Sequence, residues 1–533
     1  MNPAPTPSIT RNDYIIATLL GAGVFLILVA GLTGPGVTWD EGYPNFPAAR
    51  NQAEWIKGLW TLEKPFSQGT IDTYWQTTSD HPSLPRTLAA VSYLLFSPLI
   101  DEIAAFRLPS ALNFAVLVAT LFLFLRLFLP RLSALAGGLA LVLMPRVFGH
   151  AHLFSLDVPI MGWWFWAGIT GFLVLEKEWR PWVFGLIYAI AFTTKLHAVF
   201  LPFPLLVWGA IQCGANKAKW GRLAKTTAWA AGLTPLVYIA LQPWLWHDTI
   251  RRIYERFFDY AAKASTNPIR LYYLGQLYQD NTPWHYPLVM LAFTIPVVIL
   301  ILFFTGLARL AWKDQALSGW AWARRDGGLF LFLLSLFAMP LLLVLLPLAQ
   351  GYDGCRLFLP CFPFAAAIAA FGYQVLAQVA SRKLPPRLAH SLLLSAMVLP
   401  SLWAYTQIRP FYLAYYNEIA GGVEGAKAKG METVYWCDAL TRDMLDEINR
   451  RVEPGQTLRP LAMSYAVIEY YKDRGWLRAD INHLADPPYD FHLLHCRQGM
   501  FTQAEWFLYT QRRPLATVRI GKVPLYALYG PLE

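Results

Sequence analysis

Charged side chains are scarce in this sequence: Lys, Arg, Asp and Glu make up 15% of its 533 residues, against about 25% in soluble domains. Cysteine is scarcer still, with five in the whole chain, which excludes a disulfide-stapled secreted scaffold. Low-complexity runs and repeats of solenoid or propeller period are missing, so neither a disordered chain nor a repeat array fits. Apolar residues fill the space instead, at 56%, with 22 Trp, 26 Tyr and 33 Phe among them. Such a load stays dispersed only where lipid solvates much of the surface, which excludes a soluble enzyme.

The net charge of +10 would in a soluble chain suggest nucleic acid as a partner. Its distribution argues otherwise, because residues 409–533 carry 15 basic and 15 acidic side chains and are electrically neutral. The excess lies in residues 1–408, where only about 12% of positions are charged, half the soluble norm. The chain therefore divides into a transmembrane module, 1–408, and an α/β domain, 409–533. No nucleic-acid partner is expected; membrane lipids are.

A spanning helix needs about 20 predominantly apolar residues. Eleven stretches qualify or nearly so: 14–33, 106–128, 132–148, 158–175, 181–194, 196–213, 227–246, 287–308, 328–348, 358–379 and 389–408. The fifth and sixth are short and meet at Thr194-Lys195-Leu196-His197, a hairpin tip expected to stay within the protein. Lys and Arg in the short loops place the N-terminus inside: Arg11, Arg126, Arg131, Lys177, Arg180, Lys217, Lys219, Arg222, Lys225, Arg309, Lys313, Arg324, Arg325, Arg382, Lys383 and Arg387 share one side. Loop 247–286, with five basic residues on the other side, departs from this trend. An odd number of spans puts the 409–533 domain outside. The expectation is a multi-pass protein of the inner (plasma) membrane with a cytoplasmic N-terminus and an extracytoplasmic α/β domain. The first helix is too long for a signal peptide and reads as an anchor.

Outer loops 34–105 and 247–286 exceed hairpin length, and long loops at one face are where function concentrates. Phe46 to Leu59 and Leu88 to Ile100 suit helices lying in the membrane interface. In the tail, Thr433 to Trp436, Leu458 to Met463, Phe491 to His495, Ala516 to Ile520 and Val523 to Tyr529 read as strands, and Thr441 to Val452 and Gln503 to Thr510 as helices, Thr441 being an N-cap. Cys437 and Cys496 stand at expected strand ends and are either buried thiols or, in an oxidising compartment, a pair.

Loop 34–105 begins Thr38-Trp39-Asp40-Glu41-Gly42-Tyr43, two adjacent carboxylates just past the first helix. Partial desolvation there raises a carboxyl pKa and makes it a better acceptor for a hydroxyl proton; the plainer alternative is a solvated loop. Asp157, in the turn between the third and fourth helices, reaches the same face, either as chemistry or as a local cap. A divalent ion held by Asp40 and Asp157 is compatible with these residues, but His150 and His152 alternate and add no ligand spacing, so no cofactor is called for. Lys195, His81, Arg251, Arg252, Arg270 and Arg356, with Tyr352 beside the last, could meet above the bundle; alone, each would be a snorkelling or headgroup-binding side chain. Carboxylates that activate a nucleophile beside cations that hold a leaving anion suit transfer from a phosphate-linked donor.

These motifs carry a resemblance. The acidic pair, the later Asp157, the HPSLPR segment from His81, Pro283-Trp284-His285-Tyr286, Arg356-Leu357-Phe358-Leu359-Pro360 and the run from Tyr412 to Gly422 resemble, in order across residues 1–430, membrane glycosyltransferases of the GT-C fold, in particular the protein mannosyltransferase and aminoarabinose transferase family. The resemblance implies a GT-C-like helical membrane protein of about eleven spans that moves a sugar from a polyprenyl-phosphate donor to a lipid, glycan or protein acceptor hydroxyl at the outer face; with no second nucleophile evident, single displacement with inversion is the simpler expectation. It implies Asp40 as catalytic base, Glu41 and Asp157 as supporting acids, and Lys195, Arg270, Arg356, His81 and Tyr352 around the donor phosphate. Many bacterial members have Lys-Pro-Pro-Leu where this chain has His81-Pro82-Ser83-Leu84, a departure that weakens the phosphate contact at His81. The alternative is a transporter or flippase of lipid-linked sugar, although inverted halves with midplane helix breaks are not evident.

Overall fold

A computed structural model describes residues 9–76, 81–266, 269–279, 282–312, 326–346 and 351–531; the expected loop residues Lys313, Arg324 and Arg325 fall outside them. Among the described residues, seven helices are long and apolar enough to cross a membrane: Arg11–Val29, Glu102–Arg126, Asp157–Glu176, Leu196–Gly214, Gly328–Leu345, Arg356–Ala380 and Pro386–Ile408. Two bent pairs raise the number to nine, Arg131–Val142 with Pro145–Ala151 at 70° and Tyr286–Thr294 with Val297–Ala311 at 117°. The remaining expected spans are helices too, Pro181–Thr194 and Trp220–Ala240, but length and apolarity do not qualify them. The protein is thus a multi-pass helical membrane protein.

The two bends fall within the expected spans 132–148 and 287–308. Pro145 and Pro296 stand at the breaks, where a ring without an N–H cannot continue the ladder and restricts the residue before it. At the second break the freed carbonyls find donors in the tail: Asn417 Nδ2 donates to Ala292 O at 2.7 Å and Ile295 O at 2.6 Å, and the Asn417 N–H to Phe293 O at 2.8 Å. That gives the Tyr412 to Gly422 run a physical task. Elsewhere helices touch through glycine; a Cβ on Gly372 would lie 1.8 Å from Leu302 O and one on Gly306 1.9 Å from Ile368 O, the close backbone approach that small residues permit in membranes.

In the first long loop, Phe46–Gly58 and Leu84–Phe96 pack together as helices, with Phe46, Ala49, Ala53, Ala89 and Ala90 buried. The second long loop contains an unforeseen amphipathic helix, Thr249–Thr266, then a two-stranded antiparallel ribbon, β1 (Leu271–Tyr273) and β2 (Gln276–Tyr278). In the tail, β3 (Leu458–Leu461), β4 (Phe491–His495), β5 (Ala516–Ile520) and β6 (Val523–Tyr529) form one sheet in the order β3-β4-β6-β5. β3 lies parallel to β4, with Leu458 opposite Phe491, while the other pairs are antiparallel. Helices Arg442–Arg451, Tyr465–Asp473 and Gln503–Gln511 accompany it.

Two tail expectations need correction. Thr433 to Trp436 is buried but joins no sheet, because its carbonyls are used elsewhere: Trp436 O accepts from the Trp39 N–H at 2.9 Å and Tyr435 O from Arg497 Nη1 at 2.8 Å. Thr441 does stand before helix Arg442–Arg451, yet its side chain caps nothing. Cys437 and Cys496 are buried, unpaired thiols, Cys437 Sγ lying 3.9 Å from His495 Nδ1. The tail is fastened to the first loop by Arg474, which reaches Asp101 at 2.7 Å and Glu102 at 3.1 Å.

Candidate active site

The loop carrying Asp40 is held by a buried clamp. Arg107, on helix Glu102–Arg126, donates to Glu41 through Nε at 2.7 Å and Nη2 at 2.6 Å, and to the carbonyls of Leu32, Pro35 and Gly36. Glu41 also accepts from the backbone N–H of Thr38 at 2.9 Å and of Phe154 at 2.7 Å. Both side chains are 0% exposed. Each Glu41 oxygen thereby accepts two hydrogen bonds, and the clamp ties the Asp40 loop to the backbone at Phe154, ahead of Asp157. The tail adds to this frame: Gly36 N–H donates to Asp438 O at 2.7 Å and Val37 N–H to Tyr471 Oη at 2.6 Å.

Asp40, next in the chain, faces the other way. Arg356 stands 3.1 Å from it through Nη2, 3.2 Å from Asp157 through Nε and 2.8 Å from Asp353 through Nη1. Asp157 opens helix Asp157–Glu176 and meets Lys195 Nζ at 2.6 Å, at the buried end of helix Pro181–Thr194. Trp436 lies under the Arg356 guanidinium at 4.5 Å and Tyr352 at 5.9 Å, within cation–π range. Asp40 keeps 30% exposure and Arg356 only 13%. Burial pushes the Asp40 carboxyl above the ordinary range, against the opposing pull of Arg356. The arrangement therefore supplies a partly accessible carboxylate with raised basicity next to two desolvated cations.

The other expected residues do not all arrive. Arg270 is exposed, its own carbonyl set against the Gly499 position in the tail, and no contact joins it to Arg356. His81 is half-buried near His197, which itself lies near Lys195 and Asp157. Arg252 pairs with Asp72 at 2.7 Å and Arg251 with Asp248 at 2.5 Å. His150 Nε2 meets Tyr435 Oη at 3.2 Å and His152 Nδ1 meets Phe148 O at 2.9 Å. No group of three or more His, Cys, Asp or Glu side chains suited to a metal occurs among the described residues. A divalent ion between Asp40 and Asp157 would have to displace Arg356, whose guanidinium stands between them, so the residues present fit an internal cation better than a metal.

Sequence reasoning missed Asp353, Trp436 and Arg497. Asp353 lies three residues before Arg356 in a left-handed conformation, φ 54°, followed by Gly354 at 65°. That turn aims its carboxylate back at Arg356. Arg497 and Trp436 come from the tail, where no spacing signals a role. An apolar cavity of about 360 Å³, bordered by Leu175, Tyr188, Trp208 and Thr226, lies toward the opposite end of helix Asp157–Glu176 and is separate from this charged cluster.

The ArnT structure from Cupriavidus metallidurans bound to undecaprenyl phosphate shares 15% identity with this chain, covers 97% of it and 98% of its own length, and superposes with a TM-score of 0.50. The chain has the GT-C fold. This GT-C protein also matches, over residues 80–247, the family model of dolichyl-phosphate-mannose-protein mannosyltransferases; the match includes His81, Asp157 and Lys195 but neither Asp40 nor Arg356. An oligosaccharyltransferase from Archaeoglobus fulgidus, tethered to an acceptor peptide, is 12% identical with a TM-score of 0.46 over 90% of this chain and 61% of its own. No curated protein matches. The family match spans under a third of the chain, and the structural likeness is one of fold.

Proposed function

We propose that this GT-C protein transfers a sugar from a polyprenyl-phosphate donor to a hydroxyl on a lipid, glycan or protein acceptor at the extracytoplasmic face of the cell's inner membrane, with the N-terminus cytoplasmic. The observation that carries the reading is Arg356 held between Asp40 and Asp157, with Lys195 on the far side of Asp157. Asp40 takes the proton of the acceptor hydroxyl as that oxygen attacks the anomeric carbon. The bond from that carbon to the phosphate oxygen breaks, and its electron pair leaves on the polyprenyl phosphate, which Arg356 and Lys195 stabilise. A carboxylate nucleophile on the far face of the sugar is not needed, so one displacement inverts the anomeric centre, through an oxocarbenium-like transition state by analogy with glycoside hydrolysis.

The charges explain why donor and base act in concert. Asp40, Asp157 and Asp353 face Arg356, Lys195 and Arg497, an even balance. An arriving phosphate competes with the carboxylates for Arg356, and drawing Arg356 from Asp40 strengthens Asp40 as a base while it stays ionised. Residues 409–533 then serve as an outer domain that closes over Arg356 through Trp436. The reading is tested by titrating purified protein with undecaprenyl phosphate: wild type binds, while Arg356→Met and Lys195→Met each weaken binding about tenfold or more, the scale of one lost charge-assisted hydrogen bond. Equal affinity in all three proteins rejects the assignment.

A further inference from the structure

The buried ions of the site do not end at Arg356. On its far side Asp353 is shared: Oδ2 meets Arg356 Nη1 at 2.8 Å, and Oδ1 meets Arg497 Nη2 at 2.7 Å. Arg497 follows β4 in the tail, has a side chain only 5% exposed, and is held in place by donating through Nη1 to Tyr435 O at 2.8 Å. Tyr435 precedes Trp436, whose ring lies against the same Arg356 guanidinium and whose carbonyl holds Trp39, the residue before Asp40. A single chain of alternating charge thus runs Arg497, Asp353, Arg356, Asp40, with Asp157 and Lys195 as its branch.

We infer that Arg497 is a positioning residue by which the tail sets the location of Arg356, and through it the proton affinity of Asp40. Asp353 can satisfy two cations only while Arg497 occupies one oxygen. Without Arg497 both oxygens are free for Arg356, which moves toward Asp353 and away from Asp40. Without Asp353, Arg356 belongs wholly to Asp40 and Asp157. The two substitutions therefore drive Asp40 in opposite directions, which mere loosening of the fold would not do. The groups facing Asp40 in this balance are Arg356, Asp157, Asp353 and Lys195, with His150 behind Asp157; those facing Arg497 are Asp353, Glu432, Cys437 and Arg356.

The inference rests on the reading of Asp40 as the base, so its test needs no donor. Full-length protein in detergent is treated with a carbodiimide and an amine, which modify protonated carboxyls, and the labelling of Asp40 is followed by peptide mass spectrometry against pH. In Arg497→Met the labelling midpoint rises by about one pH unit, the scale set by losing an opposite charge at ~4–6 Å. In Asp353→Asn it falls below wild type. Arg497→Lys stays near wild type, and Arg497→Met with Asp353→Asn behaves as Asp353→Asn alone, because Arg497 has no route without Asp353. Arg519→Gln, an exposed tail arginine, reports non-specific effects and leaves the midpoint in place. Shifts of the same sign in the two single variants, or an additive double variant, overturn the inference. A wild type that labels as predicted yet never binds undecaprenyl phosphate would sink the functional reading while leaving this one standing.

Discussion

Replacing Glu41 by Gln, or Arg107 by Met, removes half of a pair that is wholly out of water. Arg107 loses its counter-charge in the first case but keeps three backbone carbonyls; Glu41 in the second keeps two backbone N–H donors but no cation. Breaking one side of a buried ion pair costs about 3–5 kcal/mol, and Arg107→Met, which also strands the carbonyls of Leu32, Pro35 and Gly36, belongs at the upper end. Asp40→Asn, by contrast, alters a side chain with 30% exposure whose partner Arg356 retains Asp157 and Asp353, so it belongs within about 1 kcal/mol of wild type. Thermal unfolding of the full-length protein in detergent, followed by tryptophan fluorescence, gives the ranking Asp40→Asn, then Glu41→Gln, then Arg107→Met. A Glu41→Gln protein as stable as wild type but unable to turn over donor would refute the clamp.

Further outcomes follow from the same geometry. Lys195→Met leaves Asp157 with Arg356 alone and destabilises the protein, whereas Lys195→Met with Asp157→Asn is milder than Lys195→Met, since neutralising both partners removes the orphan charge; a double-mutant cycle by thermal unfolding reads this. Turnover rises with pH through the raised pKa of Asp40, because the base works only when ionised, and a pH–rate profile whose acid limb lies at the ordinary Asp value of about 4 would contradict it. Burial pushes Glu432 up to about 7 from 4.5; the folded state therefore holds more protons than the unfolded one between those values, so stability falls as pH rises through that window, and Glu432→Gln flattens the slope of melting temperature against pH. Gly372→Ala forces apart helices Val297–Trp312 and Phe362–Ala380 and lowers the melting temperature, at a cost of about 1–3 kcal/mol; an unchanged melting temperature would deny the close approach.

What the sequence could not convey has identifiable causes. The apolar periodicity located a helix at each of the eleven stretches, and β4, β5 and β6 coincide with the alternating segments Phe491 to His495, Ala516 to Ile520 and Val523 to Tyr529. Hydropathy is blind to direction, however, so the 117° turn before Pro296 read as one span; the clue lay in Pro296 and, 121 residues later, in the amide of Asn417 that satisfies the break. Adjacency does not tell which partner each acid of the pair meets, because neighbouring residues at a helix-like turn face different ways: Asp40 meets Arg356 while Glu41 meets Arg107. Lys195, Asp157 and Arg356 converge because three helix ends share one face, which topology could supply. Arg497 and Trp436 reach the same place through tertiary docking of the tail, which leaves no local pattern.

The most direct measurement of the central claim is release of undecaprenyl phosphate from undecaprenyl-phosphate-linked sugars by the purified wild-type and Asp40→Asn proteins, with carrier affinity measured alongside. If Asp40 is the base, Asp40→Asn binds the carrier with affinity close to wild type and loses turnover by about a hundredfold or more, the low end for a general base. Undiminished release by Asp40→Asn would contradict the account.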